Sequence, residues 1–270
     1  MKTFKRIAAG ILSTALLLGM TSCATTKQTE AAPAAASFTT VESGKLIMAT
    51  NAFFPPYEYY EGEKIVGIDA EIASAVANKL GLELVIEDVE FDSIIAGVQG
   101  GKYDIGCAGM TVTEDRLKSV NFSAPYATGI QSIIVTADSE IKDIDTLLDG
   151  SYKVGVQSGT TGDIYMSDTP DNGGVGEDRV ERFSKGNDAV IALTSGKIDA
   201  VVIDNEPAKA FVAANEGLKI LETPYTVEDY AMAINKDNVA LKDAINQALK
   251  ELTDDGTIPG IVNKYIPAEG

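Results

Sequence analysis

Residues 93–109 read Ser-Ile-Ile-Ala-Gly-Val-Gln-Gly-Gly-Lys-Tyr-Asp-Ile-Gly-Cys-Ala-Gly, and residues 188–204 read Asp-Ala-Val-Ile-Ala-Leu-Thr-Ser-Gly-Lys-Ile-Asp-Ala-Val-Val-Ile-Asp. The second stretch follows the first at a fixed offset of 95, with Gly101-Lys102 over Gly196-Lys197 and Asp104 over Asp199. Each reads as a helix, a glycine stop and a strand of small and apolar residues. Helix–glycine–strand units are common, but the shared Gly-Lys-x-Asp sets this pair apart and predicts two lobes of related architecture.

Outward from this pair, short β-rich runs alternate with helical patterns, the signature of an α/β protein. Residues 46–50 and 82–89 read as strands. Between them Asp69 is placed to cap a helix that buries Ile72, Ala73, Val76, Ala77 and Leu80 and stops at Gly81. Asp92 or Ser93 opens a helix through Ile94, Ile95 and Val98, followed by a strand at 104–109. Further strands are expected at 133–136, 153–156, 200–203 and 230–234. A long helix from Asn238 carries Leu241, Ala244, Ile245, Ala248, Leu249 and Leu252, and the glycine-rich stretch 167–178 reads as an exposed loop.

The repeat has a chemical consequence. Gly109 and Asp204 fall at equivalent carboxyl ends of strands, where α/β sheets bind ligands. Residues 107–116, Cys-Ala-Gly-Met-Thr-Val-Thr-Glu-Asp-Arg, combine a small-residue turn, threonine hydroxyls and a guanidinium, the donors a carboxylate needs. Arg116 follows Thr113 by three residues, so a helix capped by Thr113 returns its side chain to that helix's first turn. The alternative is a solvated arginine pairing with Glu114 or Asp115. Gly159-Thr160-Thr161 is a strand–turn–helix start in the second lobe, suited to the same anion. Asp204 suits an ammonium group, or an N-cap for the helix after it. If the lobes face each other, a zwitterion fits between them. In the loop 51–58, Phe54, together with Phe91, can wall a ligand's side chain, whereas Phe53 and Tyr57 read as core aromatics and Glu58 as structural.

The first forty residues read as targeting sequence. Lys2, Lys5 and Arg6 precede an apolar run at 7–20, about 14 residues against the roughly 20 needed to span a bilayer. Met20-Thr21-Ser22-Cys23 resembles a lipobox, so 1–22 is expected as a lipoprotein signal peptide, Cys23 as the lipidated (palmitate-bearing) residue and 23–43 as a flexible tether. A secretory signal cut near Ala24 is the alternative. The chain carries a net charge of −18, and removal of the three cations leaves −21. That balance argues against nucleic acid and anionic lipid surfaces as partners. With Cys23 lipidated, Cys107 has no partner for a disulfide and reads as a buried small residue. Histidine is absent, which removes triad chemistry and the commonest metal ligand. No catalytic residue, cofactor or metal is expected.

Residues 44–267 resemble the polar-amino-acid-binding proteins of bacterial ABC importers, the extracellular solute-binding proteins of family 3. The resemblance rests on Phe-Pro-Pro-Tyr-Glu at 54–58, Val-Gly-Ile-Asp at 66–69, Ala-Gly-Met-Thr-Val-Thr-Glu-Asp-Arg at 108–116, Asn-Phe-Ser-Ala-Pro-Tyr at 121–126, Gly-Thr-Thr at 159–161 and Asp-Ala-Val-Val-Ile-Asp at 199–204, in this order. It implies a two-lobed α/β fold of the periplasmic-binding-protein type II, with lobe 1 at 44–127 plus 228–270, lobe 2 at 130–225 and a two-strand hinge near 126–131 and 224–230. It further implies that Arg116, Thr111, Thr160 and Thr161 hold a ligand carboxylate. The Gly109 carbonyl and Asp204 would hold the ammonium, with Asn51, Phe54, Phe91 and Gln157 lining the side-chain pocket. Family members often carry aspartate at the position of Asn51. The neutral Asn51 and Gln157 favour an uncharged polar L-amino acid.

The function so implied is capture of a free L-amino acid by a monomer anchored outside the cytoplasm through Cys23, on the periplasmic side or outer face of the membrane, and delivery to an ABC permease. Two alternatives share the scaffold. One is a dehydratase-type enzyme using Glu58 or Asp204 as its acid, for which no second titratable partner stands out. The other is a ligand-sensing ectodomain.

Overall fold

The computed structural model describes residues 38–222 and 226–267. The expected signal segment and Cys23 lie outside the described residues. The end of the stretch read as tether runs along the first lobe, where the Val41 N–H donates to Asp104 Oδ1 at 2.7 Å.

The chain opens with strands β1 (Lys45–Thr50), β2 (Phe53–Phe54), β3 (Glu58–Glu61) and β4 (Lys64–Val66). Helix α1 (Ile68–Leu80), β5 (Glu83–Asp88), α2 (Ile94–Gln99) and β6 (Ile105–Gly106) follow. Next come α3 (Glu114–Ser119), β7 (Val120–Phe122) and the long β8 (Ala127–Thr136), which leaves the first lobe. The second lobe contains α4 (Ile144–Asp149), β9 (Val154–Gln157), α5 (Thr161–Ser167), β10 (Val180–Phe183) and α6 (Gly186–Thr194). It continues through β11 (Ala200–Asp204), α7 (Asn205–Ala214) and β12 (Leu218–Ile220). The return passes through β13 (Thr226–Tyr230) to β14 (Ala233–Asn235), α8 (Val239–Asp254) and α9 (Thr257–Tyr265).

Two larger sheets result, ordered β5-β1-β6-β14-β7 and β10-β9-β11-β8-β12, with β13 paired to β8, and β2-β3-β4 form a third, small sheet. Each of the two larger sheets contains three parallel strands with the first of the three in the middle, β5-β1-β6 and β10-β9-β11, and an antiparallel strand beside the third: β14, which returns from the second lobe, or β8, which enters it. The lobes are therefore two copies of one topology, joined by β8 and β13.

The repeated Gly-Lys-x-Asp has the same job in both copies. Gly101 and Gly196 each take φ of +71° where their helices stop, a conformation glycine adopts without strain. Asp104 Oδ2 then accepts the Ile47 N–H of β1 at 2.8 Å, and Asp199 Oδ2 accepts the Lys153 N–H ahead of β9 at 2.7 Å. Each aspartate thus locks the register of two parallel strands. Asp104 is buried and Asp199 exposed. Asp104→Ala is expected to lower stability by about 2 kcal/mol and Asp199→Ala by about 1 or less, because only the former strands buried N–H groups. Urea unfolding measures both.

Three expectations require correction. Asp69 does not cap α1; Gly67 holds that position and no side chain caps it. The Asp69 carboxylate is drawn away by donors distant in sequence, the Gly109 N–H at 2.7 Å and the Tyr126 hydroxyl at 2.6 Å. The single strand expected at 230–234 is divided: β13 ends at Tyr230 and pairs with β8, while β14 begins at Ala233 in the other sheet. The strand expected at 133–136 begins instead at Ala127, because β13 supplies a partner for 127–131.

Candidate functional site: a buried cavity between the lobes

A small cavity of about 10 Å3, roughly the room of one water molecule and far below the roughly 300–1,000 Å3 of open ligand pockets, lies between the closed lobes. Asn51, Phe54, Glu58, Phe91, Ala108, Gly109, Thr111 and Arg116 line it from the first lobe; Gln157, Thr160, Thr161 and Asp204 line it from the second. Every residue singled out as a ligand contact from the sequence is therefore brought to this one space.

The two jaws form for local reasons. Gly109 has φ of +52°, and a Cβ there would stand 2.8 Å from the Phe54 ring, so the turn after β6 needs glycine. Thr113 caps α3 by accepting the Arg116 N–H at 3.2 Å, which turns the arginine side chain back over the turn. Its Nη1 donates to the Thr111 carbonyl at 2.7 Å and its Nη2 crosses to the Gly159 carbonyl at 2.9 Å. The guanidinium carbon sits 5.4 Å from the Phe91 ring centroid. Arg116 is buried and pairs with neither Glu114 nor Asp115; the latter holds Lys118. Burial lowers the pKa of the guanidinium, opposed by Glu228 and Asp204.

Across the cavity, Thr160 caps α5 by accepting the Asp163 N–H at 3.2 Å. The first N–H groups of that helix lack helical acceptors and face outward from its end. The Thr111 and Thr161 hydroxyls, however, are already committed within the protein. Both donate to Glu228 Oε2, at 3.2 and 2.9 Å. A hydroxyl has a single hydrogen. Any donation from these residues to an anion in the cavity must therefore come from backbone N–H groups.

Asp204 ends β11 and does not cap α7 through its side chain. Its carboxylate accepts the Tyr230 hydroxyl. Burial raises its pKa to about 7, partly offset by that hydrogen bond. Glu58 is also buried; one of its oxygens and Asp69 Oδ1 have no donor among the described residues. Its pKa is pushed well up, first by burial and then by Asp69. Asp69 itself is raised to about 6, by burial against the pull of Tyr126 and Gly109. Glu58 is thereby held toward its neutral form.

At the far end, Gln157 Nε2 donates to Asn51 Oδ1 at 2.9 Å and to the Ser184 carbonyl at 3.1 Å, while Asn51 Nδ2 donates to the Val89 carbonyl at 2.7 Å. Both amides are neutral, and both hydrogens of Gln157 are committed. Tyr57 is buried against Tyr230, whereas Phe53 is only half-buried, with the Lys185 ammonium 3.5 Å from its ring centroid. Sequence reading passed over Gln131, Glu228 and Tyr230. Their only signal was polar or aromatic residues inside strand-like runs.

Residues 46–268 match the bacterial extracellular solute-binding proteins, family 3. The chain belongs to this family. The arginine-binding extracellular protein ArtP of Bacillus subtilis is 36% identical over 234 residues, 84% of this chain and 89% of that protein. A structure of an ancestral arginine-binding protein bound to arginine is 39% identical, with a TM-score of 0.76, covering 82% of this chain and 98% of that one. An ancestral arginine-binding protein bound to glutamine gives 38% identity and a TM-score of 0.76, covering 83% and 98%. The two-lobed fold expected from the resemblance is the fold of these relatives. The family is one of binding proteins, not enzymes, working outside the cytoplasm. Among the described residues no helix is long and apolar enough to cross a membrane.

Proposed function

We propose that this chain is the substrate-binding component of an amino-acid ABC importer, capturing a free L-amino acid between its lobes for delivery to a permease. The observation that carries this reading is the cavity itself, closed on one side by buried Arg116 and on the other by buried Asp204. In this reading Arg116 and the backbone N–H groups of Thr111, Thr160 and Thr161 take the ligand carboxylate. Asp204 and the Gly109 carbonyl take the ammonium. Phe54, Phe91, Asn51 and Gln157 surround the side chain. Closure at the β8–β13 hinge stabilises the complex, since a bridging ligand favours the state in which it touches both lobes. Cys23 serves as the lipid anchor of a monomer, with lobes at 44–127 plus 228–270 and 130–225.

The ligand class follows from charge. Glu58 held near neutrality and the neutral Asn51–Gln157 pair leave no free carboxylate for a cationic side chain, which supports an uncharged polar amino acid, glutamine first. A thermal-shift panel of the common amino acids and cystine tests this, because ligand at 100 times its dissociation constant adds about 2.7 kcal/mol of stability. Glutamine is expected to shift the melting point most. A larger shift with arginine would overturn the preference, and a flat panel would overturn the function.

A further inference from the structure

One carboxylate beside the cavity has no ligand group to meet. Glu228, buried on β13, accepts four hydrogen bonds: at Oε2 from the Thr111 hydroxyl, Gln131 Nε2 and the Thr161 hydroxyl, and at Oε1 from the Tyr165 hydroxyl at 2.9 Å. The donors belong to different bodies. Thr111 follows β6 in the first lobe and is bridged to Tyr230, whereas Thr161 and Tyr165 lie on α5 of the second. Gln131 lies on β8, where it pairs with both Asp204 of β11 and Thr226 of β13.

Glu228 can travel with only one lobe when the cleft opens. If it follows the first, its bonds to Thr161 and Tyr165 break; if it follows the second, its bond to Thr111 breaks. Closing must therefore assemble a buried, charge-assisted cluster, and such bonds are stronger than neutral ones. Other contacts across the cleft are of a different kind. Arg116 reaches the Gly159 carbonyl, Tyr230 reaches Asp204 and Gln157 reaches Asn51, and a bound amino acid would compete for groups in all three. The bonds to Glu228 instead join protein groups to one another: the Thr111 and Thr161 hydroxyls each commit their single hydrogen to that carboxylate, as does the Tyr165 hydroxyl.

We propose that Glu228 is a positioning residue that latches the lobes independently of ligand, setting how much of the empty protein is closed and how slowly ligand leaves. The part concerning ligand departure rests on the capture reading; the part concerning the empty protein does not. A bond made only in the closed state raises the closed population, and apparent affinity rises by the same factor.

The test compares wild type with Glu228→Ala and Tyr165→Phe by small-angle X-ray scattering without ligand and by stopped-flow dissociation of glutamine and arginine. Glu228→Ala is expected to shift the empty particle toward a more open scattering profile and to speed dissociation about tenfold or more. Tyr165→Phe, which deletes a single donor, should move both readouts the same way by less, and it decides the matter if Glu228→Ala does not fold. Unchanged scattering and dissociation in folded variants, with only a lower melting point, would overturn the latch. Should neither amino acid bind wild type, the capture reading fails, and the ligand-free scattering still decides whether Glu228 holds the lobes.

Discussion

Arg116→Ala is expected to abolish amino-acid binding detectable by calorimetry, a loss of about a thousandfold or more. Removing one partner of a buried, hydrogen-bonded charge pair costs about 2–5 kcal/mol or more, much of it from the charge left unpaired. Here that orphan would be the ligand carboxylate, enclosed by Phe91 and the backbone of two lobes. The arginine also donates to the Thr111 and Gly159 carbonyls, so its loss removes a tie across the cleft. Arg116→Lys is expected to recover little, because an ammonium cannot reproduce the planar fork that reaches both carbonyls and an anion. Normal binding by either variant would show that the carboxylate sits elsewhere.

The second large effect concerns Asp204 and pH. With a pKa of about 7 in the empty protein, Asp204 is mostly protonated at pH 6 and mostly ionised at pH 8. An ammonium ligand needs the ionised form, so binding below neutrality must expel a proton. Affinity is expected to fall about tenfold from pH 8 to pH 6. Calorimetry in buffers of different ionisation enthalpy should register proton release at pH 6 that fades by pH 8. Stability of the empty protein runs the other way. Asp204 and Asp69, raised to about 7 and about 6, keep protons that the unfolded chain has already released. Stability therefore falls as pH rises from about 4 through 7. Asp204→Asn should weaken ammonium binding and flatten both profiles. A profile in Asp204→Asn matching wild type would assign the titration to another group.

How far the sequence could be read depended on the range of the interactions involved. The helix–glycine–strand repeat was legible because its determinants are local: a left-handed stop at Gly101 or Gly196 and an aspartate three residues later. The convergence of Arg116 and Asp204 was also accessible, since the offset of 95 placed Asp204 where Gly109 stands. Asp69 misled because a capping residue and a long-range acceptor look identical in sequence. Its carboxylate answered to Gly109, 40 positions away. Thr111 and Thr161 were placed at the cavity, but no sequence pattern says which way a hydroxyl points.

Helix periodicity, glycine stops and the repeated Gly-Lys-x-Asp by themselves determined two α/β lobes of one topology, and the residue types at their strand ends determined a site of opposite charges. The tertiary structure alone decided how those charges are held. Glu228, Tyr230 and Gln131 meet their partners only because β8 and β13 cross together between the sheets, bringing residues up to 117 positions apart within hydrogen-bond reach. A buried carboxylate acquires its protonation state and its donors from that enclosure, since desolvation and distant dipoles act through space and not along the chain.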